Sequence, residues 1–265
     1  MLQLFKVEWL KIRTYKTFWL LFATFCILFP VALYFTASKY MEPRAGMEEQ
    51  TIKAFLGSPF IFSKIWQTSS WFGGMFFVMM GMLFILLITN EVQYRTHRQN
   101  IIDGWSRMDF LKAKFSLLIF FVLIATVLVF ISGLIVGSVF SVTNDAMWEN
   151  LHYIGYFALM ATIYLMVAFL IAILVKRTGL SIIVYFAFVC IVDNILWLIM
   201  TLYNNQYGYF LPLETTDSLI VNPFKPAMME KRTVSDYALI GTAVFYILLF
   251  GFIITRYFKR TDLKT

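Results

Sequence analysis

The sequence predicts an all-α polytopic membrane protein with six transmembrane helices. Three observations carry this. Only 14% of the 265 residues are charged and 60% are hydrophobic, whereas a soluble domain carries roughly a quarter charged residues. The apolar residues form six runs, each of the length needed to cross about 30 Å of hydrocarbon. The loops between them alternate between basic and acidic, as expected of segments on opposite membrane faces.

Residues 1–16 form the first element. Leu2, Phe5, Trp9 and Ile12 recur at helical spacing, and Lys6, Lys11, Arg13 and Lys16 supply a positive face. This pattern predicts an amphipathic helix lying on an anionic leaflet of membrane lipid. It is too long and amphipathic for a cleavable signal, and no small-residue cleavage site follows it. The spans then fall at about 17–37, 69–89, 115–139, 153–175, 180–203 and 237–257, with Pro30 marking a kink in the first. No connection has room for a soluble domain, so residues 1–265 form a single transmembrane domain. Lys176, Arg177, Thr178 and Gly179 alone separate the fourth and fifth spans, which predicts a tight hairpin. Ser38–Thr68 is apolar but broken by Gly57 and Pro59, suiting a short interfacial helix. Asn204–Asp236 holds three prolines and reads as a loop with little regular structure.

Both termini, residues 90–114 and the 176–179 turn fall on one side of a six-span chain. Together they carry 15 of the 22 Lys and Arg residues against five acids; the opposite side carries seven against nine. The positive-inside rule places the basic side, with both termini, in the cytoplasm and the chain in the inner (plasma) membrane. The net charge of +7 is thereby accounted for by topology, and nucleic acid is not an expected partner.

The polar island Asn90–Lys114 is organised as structure. Gly104 suits a helix stop. Ser106-Arg107-Met108-Asp109 has the form of a capping box. The island therefore predicts a short helix, a sharp turn, and a second helix entering the third span. Ile101, Trp105 and Met108 share one face, and Arg95 and Arg98 another.

Catalytic and metal signatures are sparse. The chain has no GxxxxGK[ST] phosphate loop and no HExxH, so it is not expected to be an enzyme or to bind a cofactor or a metal itself. His97 and His152 fall on opposite membrane faces. Glu48-Glu49 lies in an external loop without the histidines that a paired-glutamate protease site needs. Cys26 and Cys190 both sit inside apolar runs, as packing residues rather than a disulfide. Met75, Met79 and Met82 share a helical face and suit flexible packing more than soft-metal binding. Gly133–Gly137 is a GxxxG pair permitting close helix approach. Asp193, beside Asn194, is the one acid deep in a span. It fits either a transport pathway or an interhelical hydrogen bond.

The layout as a whole resembles the ABC-2 type permeases, the membrane subunits of ATP-driven transporters. Glu91 after the second span, Arg95-Thr96, Ser106-Arg107 and the closing Lys114 are similar to that family's local pattern, although Arg95 stands where many members have glycine. The resemblance implies that residues 90–114 contain a cytoplasmic coupling helix docking on a separate ABC ATPase subunit. Glu91, Arg95, Thr96, His97, Arg98, Asp103, Gly104, Ser106 and Arg107 would form or shape that interface. It further implies a second permease chain, as a homodimer or related heterodimer, meeting the first near the second and fifth spans. Two ATPase copies would hold the ATP and Mg, and export would be the direction of transport. A rival from another class is a non-transporting scaffold or assembly factor that docks a partner through the same island. The Phe- and Met-rich spans suit an amphipathic cargo, but a lipid-facing surface has the same composition, so the substrate stays open at this stage.

Overall fold

In a computed structural model the chain is described over residues 2–42, 58–93, 106–141, 146–203, 206–225, 232 and 234–260. Its helices are α1 (Leu2–Arg13), α2 (Lys16–Met41), α3 (Ile65–Gln93), α4 (Arg107–Phe140), α5 (His152–Val175), α6 (Thr178–Ala187), α7 (Asp193–Leu202), α8 (Glu214–Asp217) and α9 (Asp236–Arg260). A π-helical turn, Phe188–Val192, joins α6 to α7 into one span, and a 3₁₀ turn occupies Gln206–Phe210. Among the described residues six helical segments are long and apolar enough to cross a membrane: α2, α3, α4, α5, the α6–α7 unit and α9. No strand occurs among the described residues.

The span helices α3 and α5 form the centre of the bundle. Phe77, Met80, Phe84, Phe157, Ala161, Ala168 and Phe169 are completely or almost completely buried along their length. In contrast α2, α6–α7 and α9 keep rows of apolar side chains exposed, including Leu20, Ile27, Ile183, Ile195, Leu248 and Phe252. A helix this apolar with one face uncovered is stable only against lipid or another apolar helix.

Close approach at the centre depends on glycine. A Cβ on Gly81 would lie 2.0 Å from the Tyr185 hydroxyl. Gly133 faces Trp66 and Ser69, and Gly137 faces Phe62 and Ile65, so the GxxxG pair packs α4 against α3 within this chain.

The capping box is present. The Ser106 hydroxyl accepts from the Asp109 amide at 3.1 Å, and the Ser106 amide donates to Asp109 at 3.2 Å. From this cap α4 runs as one helix through the third span. The hairpin between the fourth and fifth spans turns at Lys176, whose φ of 59° is left-handed. The segment read as an irregular loop is different. Its described part folds into the 3₁₀ turn and α8, and Asp217 of α8 reaches Tyr164, the thirteenth of the 24 residues of α5. The segment re-enters the bundle, where α5, α7 and α9 cover its backbone. Such cover is required at membrane depth, where unpaired peptide groups are costly.

Candidate functional site

Two polar constellations stand out from the apolar bundle. The first gathers where α1, the end of α3 and the beginning of α4 meet. Phe5 and Trp9 of α1 set their rings on Phe120 of α4, with centroids 5.1 and 5.5 Å apart, and Ile12 is buried. Glu8 lies on this same inward face and is 1% exposed. The apolar face expected to meet lipid therefore meets protein, and carries a carboxylate with it.

That carboxylate meets Lys114, which is also fully buried. Lys114 Nζ donates to Glu8 Oε2 at 2.5 Å and lies 2.8 Å from Glu91 Oε1. Lys11 Nζ, partly exposed, reaches Glu8 Oε1 and Glu91 Oε1 at 3.3 Å each. Two lysines and two glutamates so form a neutral cluster. Burial raises the Glu8 carboxyl, but Lys114 and Lys11 outweigh it and hold the group below its ordinary value. Breaking one partner of such a buried cluster costs about 3–5 kcal/mol, because the remaining charge stays buried.

A layer of neutral hydrogen bonds flanks the cluster. Asn90 donates to the Tyr15 hydroxyl at 2.8 Å. Thr178 at the start of α6 donates to Asn90 at 3.3 Å, and Thr89 donates to Thr178 at 2.9 Å. The C-terminal end of α3 is thereby tied to the α1–α2 junction, to α4 and to the fifth span. A cavity of about 350 Å³ lies beside it, walled by Glu8, Lys11, Tyr15, Leu87, Asn90 and Glu91.

Of the island residues singled out in the sequence, Glu91 points into this cluster and Ser106 is an exposed helix cap. Arg107 is described in its backbone alone, as the first residue of α4. Arg95, Thr96, His97, Arg98, Asp103 and Gly104 lie outside the described residues, as does Trp105. The sequence reading missed Glu8 and Lys11 as site residues and used Lys114 only as part of a pattern. The available signal was Glu8 itself, one acid on the apolar face of a basic helix.

The second constellation surrounds α8. Asp193, 3% exposed, accepts from the Glu214 amide at 3.0 Å and so caps α8 from across the bundle. Asp217 accepts from the Tyr164 hydroxyl at 2.8 Å, and Glu214 from the Ser218 hydroxyl at 2.6 Å. Asn194 donates to the Val189 carbonyl at 3.0 Å, within the π turn. The π turn directly precedes Asp193, an insertion of the kind often found at functional sites.

The fold and these sites define an integral membrane protein whose polar island is anchored on both sides inside the bundle. The family described as ABC-2 family transporter protein matches residues 4–194. The match runs from within the N-terminal helix to just past Asp193, and the chain belongs to that family. It has no match among curated proteins or solved structures.

Proposed function

We propose that the chain is the permease subunit of an ATP-driven ABC exporter, acting as a dimer and coupled to a separate ATPase through residues 90–114. The observation that carries this reading is the Glu8–Lys114–Glu91 cluster. Glu91 precedes the island's centre and Lys114 follows it, and both bind the same carboxylate-bearing helix. A push on the residues between them is therefore delivered to α1, α3 and α4 together, and through Asn90 and Thr178 to the fifth span. That is the mechanical requirement of a segment that converts ATPase closure into a change of access. ATP and Mg belong to the partner, which supplies the hydrolysis. The exposed apolar faces of the outer spans support a second chain as neighbour. The excess of Lys and Arg on the α1 side supports cytoplasmic termini in the inner membrane.

The test is a mild-detergent pull-down of the tagged full chain from its native membrane, with co-purifying proteins identified by mass spectrometry. Recovery of a Walker A ATPase at about one copy per permease is expected. The double variant R95E/R98E should insert normally, lose that ATPase and show no coupled hydrolysis. No ATPase with the wild type, in a complex otherwise intact, overturns the reading in favour of a scaffold. Unchanged docking by the double variant overturns the assignment of the island.

A further inference from the structure

Two cavities of about 420 and 460 Å³ are stacked along the bundle, between α3, α5, the fifth span and the re-entrant segment. The inner one runs deeper. It touches α3 from Ser70 to Val78 and the fifth span from Val189 to Asn194. The outer one meets α3 at Trp71 alone and the fifth span from Asn194 to Thr201, and it reaches Lys225 and Arg232 at the end of the bundle opposite α1. Four residues wall both cavities: Trp71, Asn194, Asp217 and Ile220. They form a partition, and two of them, Asp217 and the buried Ile220, are carried by the re-entrant segment. Each cavity alone is of a size that holds a small organic molecule.

The partition hangs on side chains. Among the described residues the backbone–backbone hydrogen bonds of 206–225 all stay within that segment. Its ties to the bundle come from four different spans. Gln67 of α3 donates to the Val221 carbonyl at 2.8 Å, and Tyr246 of α9 to the Phe210 carbonyl at 2.8 Å. Asp193 of α7 accepts from the Glu214 amide at 3.0 Å. Tyr164 of α5 reaches both carboxylate oxygens of Asp217, at 3.0 and 2.8 Å. A change in the spacing of these spans breaks such ties without unpairing any helix, which is how a packed segment comes to have two positions. Of the four ties, only the one between Tyr164 and Asp217 ends on a residue of the partition. Tyr164 itself walls the inner cavity and not the outer.

We propose that this partition is a gate between two compartments of the transport pathway, and that the Tyr164–Asp217 hydrogen bond is the latch that holds it shut. This rests on the permease reading and gives it a gating step. With the latch closed, Asp217 and Ile220 stand against Trp71 and Asn194, and the inner cavity is cut off from the outer end of the bundle. Movement of α5 against the fifth and sixth spans draws Tyr164 away from Asp217. The re-entrant segment then withdraws from Trp71 and Asn194, and the two cavities join into one passage.

The two native cysteines supply the readout. Cys190 walls the inner cavity, and Cys26 of α2 walls neither. A charged, membrane-impermeant maleimide is added outside right-side-out vesicles of the native membrane that hold the tagged full chain. It reacts with a thiol where water reaches it, because the thiolate is the nucleophile. Modification of each cysteine is followed by mass spectrometry of the purified chain. Slow labelling of Cys190 is expected in the wild type. Y164F keeps the ring and removes the donor, so it should speed Cys190 labelling by about tenfold or more and leave Cys26 unchanged. An unchanged rate at Cys190, equal acceleration at both cysteines, or rapid labelling of Cys190 in the wild type overturns the proposal. Should Y164F fail to insert, I220A, which thins the partition, decides: selective acceleration at Cys190 supports the gate and an unchanged rate overturns it. ATPase recovery is a separate readout. A failed gate with the ATPase recovered leaves the permease reading standing, and loss of the ATPase with Cys190 still responding overturns that reading and not the partition.

Discussion

Lys114 of α4 and Glu8 of α1 are joined by a 2.5 Å hydrogen bond across 106 residues of sequence, and both side chains are almost completely buried. This contact fixes the N-terminal helix to the entrance of the third span. Lys114 also holds Glu91, so one ammonium organises three helices.

K114M should therefore be among the most damaging single changes. It leaves two buried carboxylates facing each other with only the partly exposed Lys11 between them. A loss of about 3–5 kcal/mol is expected, read as a lower unfolding temperature in detergent and faster proteolysis after α1. The variant E8Q/K114Q, which removes both charges of the closest pair, should recover part of that loss. An unfolding temperature unchanged in K114M would show that the cluster is incidental.

Stability should respond to pH through Glu8. Glu8 sits below its ordinary 4.5 because Lys114 and Lys11 outweigh burial. Its contribution is present above pH 4.5 and lost as pH falls through the lowered value. In thermal scans from about pH 2 to 8, E8Q should flatten the acid side. The same acid-side slope in E8Q and wild type would show that Glu8 does not govern it.

Glycine substitutions should divide by location. In G81A the new methyl group would meet the Tyr185 ring and hydroxyl, a buried overlap that costs about 1–3 kcal/mol. In G155A nothing lies within 4 Å of the added carbon, and replacing glycine in a helix gains about 0.5–1 kcal/mol. Opposite shifts in unfolding temperature are expected from the two variants. Matching shifts would mean that α3 and the fifth span are not in close contact.

The tie between the second and fifth spans should be separable from the fold. N90L removes the donor to Tyr15 and the acceptor for Thr178. A loss of about 1–3 kcal/mol is expected from the unpaired partners. ATPase recovery should persist while coupled hydrolysis falls. Full coupling in a folded N90L would exclude Asn90 from the path to the fifth span.

Much of this protein was determined by local sums along the chain. Runs such as 115–139 and 153–175 are apolar enough that only a membrane or a core can hold them, and the charge bias of the loops orders them. The Ser106–Asp109 cap and the turn before Thr178 were legible because a helix end is settled by three or four neighbouring residues. The tertiary structure alone decided what Glu8, Lys114 and Asp217 do. Their partners lie far off in sequence, and hydropathy reads each of them merely as a charge in an unfavourable place. The re-entrant α8 escaped for the same reason: Glu214–Asp217 is too short and polar to predict a helix at depth, and it exists there because Asp193 and Tyr164 supply the hydrogen bonds that water would otherwise make.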